Sequence, residues 1–223
     1  EYELGLGLDG DADRIGVVDE KGKMLFGDQI LNILARDYLI DNPGKTIIAD
    51  VKCSKNLYDD ICARGGVPMM YKTGHANIKM KMKEIGVEFA GEMSGHVFLA
   101  DRYLGFDDAI YVSCRFIEIV SKTSAPVSSY LADQPKMYNT PEIHVKCADD
   151  RKFEVVAAVC DEFKREGYDV TDIDGARITF ADGWGLVRAS NTTPELVTRY
   201  EAISQERMHQ IKELVEGKIN KYI

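Results

Sequence analysis

Through residues 4–122, short apolar runs alternate with stretches whose apolar positions recur every three to four residues. Residues 4–8 and 15–18 read as strands on either side of an acidic loop, and Lys21-Gly22-Lys23 as a hairpin turn. From Gly27-Asp28 onward, Ile30, Leu31, Leu34, Tyr38 and Leu39 share one helical face, with Asp28 as the N-cap and Asn42-Pro43-Gly44 as the stop. The pattern then predicts a strand over 46–50, a helix over 56–64 stopped by Gly65-Gly66, a strand over 68–71 and a helix over 76–85. Strands over 87–90 and 97–100 and a long helix from Asp107 to Lys122 follow. Strands and helices in this order predict an α/β fold, a mixed, mostly parallel three-layer domain.

The pattern breaks at 123–141, where Ser and Pro accumulate around Asp133-Gln134-Pro135, and this segment is expected to be a linker. Beyond it lie a strand over 142–146, a helix over 152–166, strands over 176–180, 184–190 and 196–202, and a final helix from Glu206 to Tyr222. A helix at each end of a group of strands predicts a small α+β C-terminal domain.

Composition narrows the function classes. The 223 residues are 45% hydrophobic and 29% charged, which is globular composition. A net charge of −9 argues against general nucleic-acid or membrane-surface binding. No apolar run approaches the ~20 residues of a membrane span. The five Cys are scattered without a CxxC pair, as expected for core-filling thiols in a reduced, cytoplasmic protein. The chain starts without Met, one strand before its acidic loop, and is expected to be a fragment of a longer protein.

That loop is Asp9-Gly10-Asp11-Ala12-Asp13-Arg14. Three carboxylates in five residues repel one another unless a cation neutralises them, and hard oxygen donors suit Mg²⁺ or Ca²⁺. Arg14 beside them suits a phosphate on the same metal, a pairing that points to phosphoryl transfer. Other readings stay open on these residues alone. In a helix–loop–helix calcium loop, Asp9, Asp11, Asp13 and Glu20 take the first, third, fifth and twelfth positions, although Arg14 stands where Gly is needed. In an aspartyl-phosphate phosphatase, resembling the haloacid-dehalogenase pattern DxDx[T/V], Asp9 is the nucleophile, Asp11 the acid, and Asp13 departs from the pattern. A solvated acidic turn is the plainest reading.

Further chemistry collects at strand ends. Gly91-Glu92-Met93-Ser94-Gly95-His96 places hydroxyl-reading groups between two Gly and an acid/base, His96, directly after them, or makes a polar turn. Lys72-Thr73-Gly74-His75 lies at a strand–helix junction suited to an anion, with Lys72 and His75 as candidates and Lys79, Lys81 and Lys83 as a solvated face. Lys52 follows another strand end. Arg188, Ser190, Asn191, Thr192 and Thr193 concentrate a guanidinium, three hydroxyls and an amide, a phosphate cradle or a polar hairpin ending at Pro194. Asp107-Asp108 reads as a helix-capping pair, and His144 and His209 as structural or exposed.

DGDADR, KTGH, GEMSGH and GWGLVRASNTTP, in that order, resemble the α-D-phosphohexomutase superfamily, closest to its bacterial phosphomannomutase/phosphoglucomutase members. The resemblance covers essentially the whole chain. It implies residues 1–23 as the tail of a second domain carrying the metal loop, 24–135 as a third, α/β domain, and 136–223 as a fourth, TBP-like α+β domain. By resemblance Asp9, Asp11 and Asp13 bind Mg²⁺, with Arg14, His75 and His96 as catalytic groups. Lys52, Glu92, Ser94 and His96 contact the sugar phosphate, and Arg188, Ser190, Asn191 and Thr192 clamp the phosphate that does not react.

The activity implied is interconversion of hexose 1-phosphate and hexose 6-phosphate, of mannose or glucose. It proceeds through a phosphoserine and glucose 1,6-bisphosphate or mannose 1,6-bisphosphate. The family's T-x-S-H-N-like phosphoserine loop is not found in these residues, which contain no Ser-His pair. The missing N-terminal domains are therefore expected partners, and the chain alone is expected to be inactive. The alternatives are the Mg²⁺-dependent phosphatase and a non-catalytic sugar-phosphate-binding module.

Overall fold

A computed structural model describes residues 2–223, and the chain divides between Gln134 and Pro135 into two compact units. The N-terminal unit opens with an antiparallel meander of β1 (Leu4–Leu8), β2 (Ile15–Asp19) and β3 (Met24–Leu25). Next come α1 (Gly27–Asp41), β4 (Thr46–Asp50), α2 (Lys55–Ala63), β5 (Val67–Tyr71) and α3 (His75–Ile85). The unit closes with β6 (Phe89–Gly91), β7 (Val97–Leu99), α4 (Ala109–Ser121) and a 3-10 turn at Val127–Ser129.

The main sheet has the order β5-β4-β6-β7, with β4 parallel to both neighbours and β7 antiparallel to β6. Its two faces follow from strand alternation. Ile47, Ala49, Phe89, Val97 and Leu99 pack in one core with α1, α2 and α4, while Ile48, Ala90 and Phe98 pack in another with Ile78 and Met82 of α3. Helices on both faces make the three layers expected. Parallel pairing holds for this sheet alone, since the meander is antiparallel.

Several local expectations change. Asp28 does not cap α1. The cap residue is Phe26, whose amide donates to the Gln29 side chain, while Asp28 is buried and accepts from the Ser54 amide. The 123–141 segment is built into both units rather than free. Val127 is buried in the first core, Ser128 donates to Glu20, and Arg36 bonds both the Tyr130 carbonyl and Asp133.

The C-terminal unit holds β8 (Tyr138–Asn139), β9 (Ile143–Lys146), α5 (Lys152–Arg165), β10 (Asp169–Thr171), β11 (Ala176–Phe180), β12 (Gly183–Ala189), β13 (Glu195–Ala202) and α6 (Gln205–Ile219). The short β8 and β10 carry too few residues for a readable alternation. All pairings are antiparallel, in the order β10-β11-β12-β13-β8, with β9 also on β13. Ile178, Val187, Leu196 and Tyr200 pack beneath Val159 and Phe163 of α5 and Ile211 and Val215 of α6. Gly185 lets α6 come close, for a Cβ there would lie 3.0 Å from Val215.

Glu162 ties the two helices together by accepting from Lys221, Lys218 and Tyr222. The Lys221 bond first, then Lys218, holds its carboxyl down at about 2, from an ordinary 4.5. Its stabilising share is complete above pH 4.5 and is lost as pH falls through about 2. Acid unfolding of the C-terminal unit, followed by near-ultraviolet circular dichroism, should therefore lose part of its pH dependence in Glu162→Gln. An unchanged acid limb would remove Glu162 from the account.

Three of the five thiols are buried, whereas Cys62 and Cys114 are exposed, so core filling explains only part of the set. No helix among the described residues is long and apolar enough to cross a membrane.

Candidate active site

The acidic loop joins β1 to β2 and folds back on itself. The Arg14 amide donates to Asp9 Oδ1, and the Ala12 amide donates to the Asp9 carbonyl. Ala12 is left-handed at φ 59°, the only described non-Gly residue with positive φ. Its carbonyl accepts from the Ala109 amide at the start of α4, which anchors the turn. Carboxylate oxygens of Asp9, Asp11 and Asp13 lie within 4.8 Å of one another. Partial desolvation opposes ionisation of Asp9, but the Arg14 amide, Asp13 and the Arg14 charge hold its pKa below the ordinary value.

Asp13 Oδ1 is buried and has no hydrogen-bond partner among the described residues. A buried carboxylate oxygen without a donor is costly unless a cation meets it. Together with the all-oxygen donor set, this fits Mg²⁺. Flanking strands instead of helices set aside the calcium helix–loop–helix reading. Against the phosphatase reading stands Asp13 at the Thr/Val position of its pattern; Asp9 itself follows a strand of an antiparallel hairpin.

Glu92 organises the rest of the N-terminal site. It is 1% exposed; Oε1 accepts from the Gly74 amide at 2.6 Å, and Oε2 lies 2.8 Å from His96 Nδ1. One carboxylate thus joins the KTGH turn to the GEMSGH turn. Burial opposes its ionisation, but His96 and the Gly74 amide hold its pKa below the ordinary value. Glu92 was expected to read sugar hydroxyls. Here it is first a scaffold, and hydroxyls would have to share oxygens already bonded, as carboxylate lone pairs permit. The Ser94 side chain, in contrast, is exposed.

His96 is buried. Burial opposes its imidazolium, yet the Glu92 bond and the charges of Glu92 and Asp13 lift its pKa above the ordinary value. Nε2 faces Arg14 Nε at 3.1 Å and Asp13 Oδ2 at 3.2 Å. Neutral His96 accepts from Arg14, and protonated His96 donates to Asp13. The GEMSGH turn is tied to β2 by the Ile15 amide, which donates to the Gly95 carbonyl. Lys52 is buried with Nζ 4.0 Å from Asp50 Oδ2, and Asp50 accepts from Thr73 and from the Met93 amide. Burial pushes the Asp50 carboxyl up, against the pull of Lys52.

His75 begins α3 and stacks on His96 with ring centroids 5.6 Å apart. Its Nδ1 lies 3.0 Å from Asp107 Oδ2, and Lys79 Nζ donates to Asp107 Oδ1 at 2.8 Å. Both facts depart from the sequence reading. Lys79 is not part of a solvated face, and only Asp108 caps α4. Asp13, His96 and Asp107 also bring ligand atoms within 4.8 Å of one another, but His96 is already bonded to Glu92, and Asp107 to Lys79.

In the C-terminal unit, Arg188 lies on β12 and the loop of residues 190–194 turns into β13. The Arg188 guanidinium is turned onto Asp174, with Nε to Oδ2 at 3.2 Å and Nη2 to Oδ1 at 3.4 Å. It was expected to face a phosphate. A phosphate would meet the donors Asp174 does not use, since a guanidinium carries five. Nothing in the spacing of Asp174 marks it as a partner. The buried Ser190 hydroxyl accepts from the Thr192 and Thr193 amides, so it shapes the loop, while Asn191 and Thr192 are exposed at the tip. Lys152, also missed from the sequence, is buried and donates to the Thr193 carbonyl and to Asp149.

Residues 26–138 match the family model described as phosphoglucomutase/phosphomannomutase, alpha/beta/alpha domain III, and residues 142–218 match phosphoglucomutase/phosphomannomutase, C-terminal domain. The chain belongs to the phosphoglucomutase/phosphomannomutase family. A Pseudomonas putida phosphomannomutase/phosphoglucomutase is 46% identical over 212 residues, covering 95% of this chain and 46% of that protein. The structure of a phosphoglucomutase/phosphomannomutase family protein from Burkholderia thailandensis superimposes with TM-score 0.91 at 38% identity, covering 99% of this chain and 47% of that one. An Aspergillus fumigatus N-acetylphosphoglucosamine mutase, solved with GlcNAc-6P and magnesium, shares the fold alone, with TM-score 0.71 and 15% identity over 97% of this chain and 48% of that one. The chain spans about half the length of the curated relatives it matches.

Proposed function

We propose that this chain carries the metal, sugar and phosphate loops of an α-D-phosphohexomutase, an isomerase interconverting the 1- and 6-phosphates of mannose or glucose. The observation that carries the reading is Asp13 Oδ1, buried without a hydrogen-bond donor among the described residues, beside two further carboxylates and a half-exposed Arg14. Asp9, Asp11 and Asp13 would hold Mg²⁺, which supplies charge neutralisation for a transferring phosphoryl group. Magnesium and GlcNAc-6P in the Aspergillus mutase support the same ligand classes here.

The other roles follow from each side chain's surroundings. Arg14 brings a positive charge to phosphate oxygens beside the metal. Ser94 and Glu92 accept or share hydrogen bonds with sugar hydroxyls, and Lys52 offsets the buried negative charge of Asp50 and Glu92. His96, proton-loaded through Glu92, and His75 exchange protons with hydroxyl oxygens. Arg188, Asn191 and Thr192 hold a phosphate on the C-terminal unit, on a loop shaped by Ser190. The reaction runs through a hexose bisphosphate, with a phosphoserine as covalent donor. Because these residues contain no Ser-His pair, we assign the isolated chain binding without turnover.

Calorimetry with glucose 1-phosphate and Mg²⁺ tests this. Binding is expected in the native chain, and Arg188→Ala should weaken it about tenfold, the loss of one charge-assisted contact. Asp13→Asn should abolish the Mg²⁺ dependence. Unaltered affinity in Arg188→Ala would overturn the phosphate assignment, and production of glucose 6-phosphate by the isolated chain would overturn the requirement for the phosphoserine.

A further inference from the structure

Asp107 and Asp108 are neighbours with different tasks. Asp108 caps α4 through the Tyr111 amide. Asp107 makes no such cap. Its backbone is pinned to the sheet by an isolated antiparallel bridge to Phe98, and its side chain, only 12% exposed, faces α3. There each oxygen has one partner: Oδ1 takes Lys79 Nζ at 2.8 Å and Oδ2 lies 3.0 Å from His75 Nδ1. We infer that Asp107 is a positioning residue that holds the neutral His75 imidazole in one tautomer, with the proton on Nδ1 and the lone pair on Nε2.

The proton count supports the assignment. Lys79 at Oδ1 is a cation and keeps the carboxylate ionised, so Asp107 can only accept, and the hydrogen between Oδ2 and Nδ1 belongs to the ring. No described residue bonds His75 Nε2, and the side chain is half exposed, so that nitrogen is open to a hydroxyl. The stacked partner ring is held in the same way, with His96 Nδ1 on Glu92. Two stacked imidazoles thus each place Nδ1 on a buried or half-buried carboxylate, with Nε2 open at His75 and facing Arg14 and Asp13 at His96. A histidine's active nitrogen is set by the hydrogen bond at the other. Asp107 is not a catalytic residue in this account, because it acts through His75.

The assignment of a base to Nε2 rests on the mutase reading; the tautomer itself does not. Nitrogen-15 NMR of histidine-labelled chain, without ligand at about pH 8 where an ordinary imidazole is neutral, reads it directly. The native chain should show His75 with a protonated Nδ1 and an unprotonated Nε2. Asp107→Ala should leave a mixture of tautomers. Asp107→Asn, whose amide can donate to Nδ1, should move the proton to Nε2. Lys79→Met should keep the native tautomer while Asp107 remains ionised. A native His75 protonated on Nε2, or an unchanged tautomer in folded Asp107→Ala, would overturn the inference. Failure of glucose 1-phosphate to bind would instead overturn the mutase reading and leave the tautomer result standing.

Discussion

Gly27→Ala should destabilise the N-terminal unit by about 3 kcal/mol, the upper range for forcing an extra methyl into a filled site. A Cβ there would lie 2.4 Å from the Met93 carbonyl oxygen and 2.8 Å from that of Glu92. Both contacts are backbone, so neither can rotate away. Gly27 opens α1, and its lack of a side chain lets the GEMSGH turn sit directly on the helix start. Either the helix must retreat or the turn must rise, which would pull Glu92 from Gly74 and His96. Chemical denaturation measures the loss, and the His96 resonances report whether the turn moved. A midpoint unchanged from the native chain would show that the close approach is not maintained in solution.

Glu92→Ala should cost about 3 kcal/mol, because it leaves His96 and the Gly74 amide facing a buried site without their acceptor and removes the negative charge near Lys52. Glu92→Gln separates charge from shape. The His96 pKa is raised in the folded chain, so its contribution to stability is complete below pH 6.5 and is lost as pH rises through the raised value. The Glu92 pKa is lowered, so its contribution is complete above pH 4.5 and is lost as pH falls through the lowered value. The metal-free N-terminal unit, measured with chelator present, should be most stable between these limits. Glu92→Gln should flatten the decline on the alkaline side and bring the His96 titration down. A steep alkaline decline that persists in the variant would mean that another group carries it.

Much of the chain is legible before folding. The strands at 46–50 and 176–180 coincide with β4 and β11, and Asn42-Pro43-Gly44 ends α1 as expected. These are places where local chemistry and tertiary packing agree. Asp28 shows the opposite case. Its type and position suit a cap, but the Ser54 amide, brought over by α2, claims the carboxylate. The Asp107-Asp108 pair divides similarly, with one residue obeying the local rule and its neighbour a distant one.

The site splits along the same line. The acidic hexapeptide carries its own chemistry, because repulsion among three close carboxylates depends only on their spacing in the chain. The partners of the other groups lie far away: Gly74 is 18 residues from Glu92, Asp107 is 32 from His75, and His96 is 82 from Arg14. Periodicity tells which face of an element a side chain takes, and not what stands opposite. By itself the sequence determined the order of the longer elements, the crowding of three carboxylates in one loop and the candidate turns. Only the tertiary structure decided that Glu92 braces two turns, that Asp107 holds His75 and that Asp174 engages Arg188, because strand pairing and helix packing choose which distant carboxylate meets each cationic or imidazole group.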